Sequence, residues 1–168
     1  MDTQTPSGPE QLRQKWVNAR PDLNTSSMYV VSPLKRAQAL LAIALESVYE
    51  TSELTPSEMD VLVHLRYLEE PIIARRLAQW LGVSRAAVSK MLAKLEGRGL
   101  IERRANSADQ RSALVTISQD GIAVIDRLFP RHLDREAQVL SGLGSDRDRV
   151  IEALELLVKT LERSLPHA

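Results

Sequence analysis

Apolar residues recur at helical spacing along most of the chain, and the places where that spacing breaks define its elements. Over 28–50, Val31, Leu34, Leu41, Leu45 and Val48 repeat with a helical period and predict one long amphipathic helix. Before it, residues 10–19 predict a short helix carrying Trp16. That helix stops at "RPDL", because the residue before a proline avoids helical dihedrals. "LTPSEMDVLVHL" at 54–65 opens the next helix: Thr55 is the N-cap, Pro56 takes the first helical position, and Glu58 closes a capping box. "IIARRLAQWLGVSRAAVSKMLAKLEGRGL" at 72–100 then holds two helices broken at Gly82. Ser84 caps the second, Val88, Met91, Leu92 and Leu95 form one buried stripe, and Gly99 ends it.

The period then changes. Alternating residues predict two short strands, 101–104 and 112–117, joined by a polar hairpin within "RRANSADQRSALV". "SQDG" at 118–121 caps a helix running toward Leu128. Beyond Pro130 the helical spacing resumes, and Val150, Leu154, Leu157, Leu161 and Leu165 mark a C-terminal helix. The expected organisation is a flexible tail at 1–9, an added helix and a long helix at 10–50, a helix-and-hairpin domain at 51–128, and C-terminal helices at 129–168. The fold class is mainly α (α+β).

Composition narrows the chemistry. Of 168 residues 43% are hydrophobic and only 4% aromatic, so the core is built from aliphatic side chains. Cysteine is absent, which excludes disulfides and thiolate metal sites. The N-terminal residues have no apolar signal core, and the run "ALLAIAL" at 39–45 is too short to span a bilayer, so a soluble cytoplasmic protein is expected. Net charge is zero but unevenly distributed. Glu46, Glu50, Glu53, Glu58, Asp60, Glu69 and Glu70 face Arg66 alone over 46–70. Arg85, Lys90, Lys94, Arg98, Arg103, Arg104 and Arg111 outnumber Glu96, Glu102 and Asp109 over 84–111.

Helix, tight turn, helix and two-stranded hairpin follow in the order of a winged helix-turn-helix. Ala78, Gly82 and Val88 stand where that motif needs a small residue, a turn glycine and a core aliphatic. With the stripe turned inward, Arg85, Ser89, Lys90 and Lys94 lie on the outer face. A helix of this shape enters a major groove, where residues near its N-terminus reach base edges. Arg85 is the leading base reader, with Ser84, Ser89 and Lys90 beside it, while Lys94 meets phosphate. In the hairpin, Arg111 suits the flanking minor groove, and Asp109 is placed to hold its guanidinium. Arg103 and Arg104 alternate, so one of them faces the DNA backbone.

"LTPSEMDVLVHL", "RRLAQWLGVSRAAVSKMLAKLEGRGLIERR" and "DQRSALVTISQDG" resemble the MarR family of bacterial transcriptional regulators, tightly over 55–128 and loosely in the flanking helices. The resemblance implies a homodimer with interleaved terminal helices that binds a palindromic operator in double-stranded DNA. It also implies release by a small ligand, often an aromatic acid or phenol. "QKWVNARPDLN" at 14–24 looks like the extra helix of the urate-responsive branch, in which a tryptophan, an aspartate and an arginine anchor the ligand. Trp16 and Asp60 match the first two, but Met91 stands where the arginine would fall, with Lys90 adjacent. Arg20 and His64 complete the candidate effector residues. Trp16 reads equally as a hydrophobic peg, and Asp60 equally as a carboxylate favoured by its place near a helix start.

No nucleophile elbow, phosphate loop or dinucleotide fingerprint is present, and His64 beside Asp60 is too small a set for a metal site. The chain therefore reads as a ligand-released repressor without enzyme activity, metal or cofactor. The competing reading is a winged helix used for protein contact without DNA.

Overall fold

The computed structural model describes residues 8–107, 109 and 111–165. The chain divides into two compact units, Met1–Glu46 and Ser47–Ala168. In the first, α1 (Gly8–Ala19) precedes α2 (Met28–Tyr49), whose last residues belong to the second unit. Most of the expected tail, 1–7, lies outside the described residues, and Gly8 and Pro9 already belong to α1. The guanidinium of Arg13 lies 4.3 Å from the ring centroid of Tyr29, a cation–π contact between α1 and α2.

Taken whole, α2 is long and apolar enough to cross a membrane by length and composition, although its longest apolar run alone is not. Lys35 and Arg36 sit within two turns of its middle, and each such cation at bilayer depth costs about 2.5–3.5 kcal/mol. An apolar helix with central cations is better suited to a protein-covered face than to lipid.

The second unit is built as its sequence directs. Helix α3 (Pro56–Leu65) starts with the full capping box, Thr55 accepting from the Glu58 N–H and Glu58 accepting from the Thr55 N–H. α4 (Ala74–Leu81) ends at Gly82, whose φ of 63° lies in the left-handed region. Ser84 then caps α5 (Arg85–Gly97) by accepting from the Ala87 N–H. At the far end, the Leu100 N–H reaches the Leu95 carbonyl and the Gly99 N–H the Glu96 carbonyl, closing α5 in a Schellman motif. Val88, Leu92 and Leu95 are fully buried, whereas Met91 is only half-buried.

The hairpin is β2 (Ile101–Ala105) with β3 (Ala113–Ile117), paired antiparallel from Ile101 with Ile117 to Ala105 with Ala113. A third strand, β1 (Ile72–Ile73), pairs with the other edge of β3, giving the order β1-β3-β2. The helical pattern placed Ile72 and Ile73 at a helix start. They are instead extended, because pairing with Val115 and Leu114 satisfies their backbone and buries Ile72.

A second departure concerns Pro130. Helix α6 runs unbroken from Gln119 to Leu140 with Pro130 inside it, where the sequence predicted an end near Leu128. Pro130 lacks an N–H, a loss of about 3 kcal/mol in a helix interior. Ile125, Leu128 and His132 are buried on both sides of it, and that packing holds the helix through the defect. A 3-10 segment, Ser141–Asp146, leads to α7 (Arg147–Ser164).

At the junction of wing and α6, Ser118 Oγ donates to the Gly99 carbonyl at 2.6 Å and accepts from the Gly121 N–H at 3.0 Å. A Cβ on Gly121 would stand 2.1 Å from the Leu100 carbonyl oxygen, so only glycine fits there.

Candidate nucleic-acid interface

The buried stripe of α5 fixes what its other face presents. Arg85, Ser89, Lys90 and Lys94 are all exposed, while Ala86 and Ala87 keep the first turn narrow. Ser84 is exposed as well, its hydroxyl oxygen engaged as the cap. Lys94 stands close enough to the buried Glu58 carboxylate to help lower its pKa, so its charge is shared with α3.

The wing separates its two strand arginines by the pleat. Arg103 lies on the side of the buried Ile101, is half-buried, and pairs with Glu96 of α5 at 3.3 Å. Arg104 points outward with its side chain 76% exposed, against Glu102 at 2.9 Å. Of the two, Arg104 is the more exposed, and an exposed pair of this kind is held weakly.

Between the strands, Asp109 does something other than grip Arg111. Its Oδ1 accepts from the Arg111 backbone N–H at 3.0 Å, and among the described residues no carboxylate pairs with the Arg111 guanidinium. The reason is local: an aspartate two residues before an N–H forms an Asx turn more readily than it folds back onto a long side chain. Ser112 reinforces the tip, donating to the Asp109 carbonyl at 3.1 Å and accepting from the Asn106 amide at 2.9 Å. Asn106, Asp109 and Ser112 are thus bonded to one another beside an exposed Arg111.

The candidate effector residues fall in different units. In the first, Trp16 is 47% exposed, and Arg20 forms a two-pronged pair with Asp22 at 2.6 and 2.8 Å. The hydrogen bond to Asp22 raises the pKa of Arg20, and the same bond lowers that of Asp22. In the second, His64 Nδ1 lies 2.7 Å from the Asp60 carbonyl oxygen, which leaves the Asp60 carboxyl to other neighbours. Burial raises the pKa of that carboxyl and Glu136 adds to the rise, while His64 and His132 oppose it. The His64 ring faces Trp80 at 6.3 Å between centroids, and the Arg76 guanidinium lies 5.3 Å from the Trp80 centroid.

Three networks escaped sequence reasoning. Arg66 pairs through two hydrogen bonds with Asp126, at 2.7 and 2.8 Å, tying α3 to α6. Tyr49 places its hydroxyl 3.0 Å from His132 Nδ1 and 3.3 Å from the Met59 sulfur, and His132 Nε2 lies 3.1 Å from Glu136. Burial, with the charges of Asp60 and Glu136, pushes the Tyr49 phenol up to about 12. The third joins Arg98 to Glu58. Partners this far apart leave no signal in spacing, although "SQDG" did carry one, a glycine where a first helical turn ordinarily takes a side chain. Among the described residues no group of three or more His, Cys, Asp or Glu is placed to hold a metal.

Residues 54–113, which span α3 to the first residue of β3, match the MarR family. The transcriptional regulator PecS of Dickeya dadantii is 29% identical over 143 residues, 84% of this chain and 86% of its own length. Among solved structures, the transcriptional repressor CouR bound to a 23-mer DNA duplex superposes with a TM-score of 0.65 at 27% identity, covering 81% of this chain and 98% of its own. The PcaV regulator of Streptomyces coelicolor in complex with its natural ligand shares the fold at a TM-score of 0.64 and 24% identity, over 81% of this chain and 93% of its own. A capped α5 over a buried stripe, a two-stranded hairpin beside it and these likenesses converge: residues 54–113 match the MarR family, and the chain is similar to MarR-type winged-helix regulators of transcription.

Proposed function

We propose that the protein is a homodimeric repressor that binds a palindromic operator in double-stranded DNA and is released by a small aromatic effector. The observation that carries the DNA reading is the outer face of α5. Arg85, Ser89 and Lys90 are exposed over a fully buried stripe, and the wing beside them carries an exposed Arg111. In this reading Arg85, Ser89 and Lys90 reach base edges in the major groove, and Arg111 enters the flanking minor groove. Ser84, Lys94 and Arg104 lie along the phosphates, and Arg103 and Asp109 order the wing. The repressor CouR, similar in fold, is solved on duplex DNA, which favours this use of the lobe. Such a regulator acts in the cytoplasm, where the DNA is.

Residues 51–128 serve as the DNA-binding part, and 10–50 with 129–168 as the dimerisation part. One winged helix reads few base pairs, so specificity calls for two copies about one or two helical turns apart. Trp16, Arg20, Asp60 and His64 are the effector residues, suited to a planar, hydrogen-bonding and anionic ring. The effector lowers DNA affinity by the difference in its affinity for the DNA-competent and DNA-incompetent dimers. Met91 lacks the guanidinium fork that would grip urate, and Lys90 offers only an outward point charge. Urate is therefore the weaker effector, and a more apolar aromatic acid or phenol the stronger.

The test is a mobility shift over a salt series with a palindromic and a scrambled duplex, repeated with urate and with an aromatic acid. Sequence-selective binding with a steep salt dependence is expected, relieved by the aromatic acid. Binding to neither duplex would leave the protein-contact reading in its place. A fluorescence titration of Trp16 with the same two ligands follows effector binding directly, and because Trp80 adjoins His64 it is made in Trp80→Phe.

A further inference from the structure

Glu58 is 3% exposed, yet three groups converge on it. The Thr55 N–H donates to its Oε2 at 2.9 Å, Arg98 Nη2 lies 3.4 Å from the same oxygen, and Lys94 adds its charge. Burial alone would raise the carboxyl pKa, but the Thr55 backbone and hydroxyl, Arg98 and Lys94 outweigh it and the pKa falls. Glu58 is therefore a charged group inside the lobe. Arg98 is the residue just past the last turn of α5, and its other terminal nitrogen donates to the Glu53 carbonyl. One side chain thus ties the end of α5 to both the loop before α3 and the capping box that starts it.

From this geometry we infer that Arg98 is a positioning residue for DNA recognition, fixing the seat of α5 against α3 through Glu58 without itself touching DNA. The inference rests on the DNA-binding reading above. The N-terminal turns of α5 carry Arg85, Ser89 and Lys90, whereas Arg98 lies beyond its C-terminal end, with its guanidinium turned to α3. A helix held at its far end by a fork between a buried carboxylate and a carbonyl loses both contacts when it tilts, and taking the guanidinium from a buried carboxylate is strongly unfavourable. Base readout depends on the angle at which the helix enters the groove, so the anchor acts on specificity more than on contact.

The experiment compares wild type with Arg98→Gln, Arg98→Lys, Glu58→Gln and the double Arg98→Gln/Glu58→Gln, on palindromic and scrambled duplexes over a salt series. All are measured below the onset of unfolding seen by circular dichroism. Arg98→Gln is expected to lower affinity for the palindrome about tenfold. It leaves affinity for the scrambled duplex and the salt slope as in wild type. Arg98→Lys recovers part of the loss, and the double variant binds no worse than the weaker single. A salt slope smaller by about one unit would make Arg98 a phosphate contact and overturn the inference. Equal losses on both duplexes, additive losses in the double variant, or unchanged palindrome affinity in folded Arg98→Gln would overturn it too. If wild type binds no duplex, the DNA-binding reading fails instead, a result distinct from any of these.

Discussion

The stretch from Leu54 to Leu128 and the helices α2 and α7 show opposite relations between sequence and burial. The first closes on itself: Leu62, Leu77, Leu92, Leu95 and Ile125 are almost wholly buried, and both ends of α5 are capped. Helix α7 buries none of its residues, and Ile151, Leu154, Leu156, Val158 and Leu161 stand 45–63% exposed. Helix α2 leaves Tyr29, Val30, Leu40 and Ile43 similarly open. Rows of exposed apolar side chains along a helix are the kind of surface that an interface covers. One part of the chain encodes its own packing partners, whereas the other leaves apolar side chains open, which the proposed dimer covers with a second copy.

The sharpest way to break that contrast is to charge the incomplete half. Leu157→Lys with Leu161→Lys should abolish folding or dimerisation together with DNA binding, because the proposed operator engages two lobes. Sedimentation and mobility shift report it, and a folded monomer holding the operator at full affinity would refute it. In the self-contained half the matching change is steric. Gly121→Ala drives a Cβ into the Leu100 carbonyl and should lower unfolding stability by about 3 kcal/mol in a denaturant titration.

Smaller effects fall on the lobe's outer face. Arg111→Ala should weaken operator binding by roughly 1–3 kcal/mol, and Arg85→Ala by a similar amount while also relaxing base preference. Unchanged affinity for Arg111→Ala would remove the wing from the interface. Lys94→Ala should weaken all duplexes alike and flatten the salt slope by about one unit. A slope left intact would mean that Lys94 serves Glu58 rather than phosphate.

The smallest effect concerns Asp60. Its carboxyl pKa is raised by burial, so the fold disfavours the charged form. Asp60 is therefore expected to weaken stability slightly at neutral pH, with the penalty gone once pH falls below the unfolded carboxylate value of about 4. Asp60→Asn should raise the thermal midpoint slightly at neutral pH and leave it unchanged in acid, as calorimetry at the two pH values would show. An effector response that survives Asp60→Ala would exclude Asp60 from the ligand site.

Much of the fold and of the candidate site was legible because its signals are local. Thr55 with Glu58, Ser84, Gly82 and Gly99 are start and stop signals that act within one turn of the chain, and each operates as read. The spacing of Val88, Leu92 and Leu95 fixed which face of α5 is inward, and hence that Arg85, Ser89 and Lys90 are outward. Local preference also accounts for where reading fell short. Asp109 turned to the nearest N–H instead of a guanidinium. Pro130, a local stop signal, was overridden by burial on both of its flanks.

By itself, then, the sequence determined the order of helices and hairpin, the caps, the inward stripe of α5 and the uneven placement of charge, all set by neighbours within a few residues. Only the tertiary structure decided that Ile72 and Ile73 pair with β3, that Arg98 serves Glu58 while Arg104 stays open, and that Tyr49 meets His132 across 83 positions. Those outcomes depend on which distant groups the packed core brings within hydrogen-bonding reach, and a buried donor, acceptor or charge takes whichever partner is there, because leaving it unpaired is more costly than any local preference.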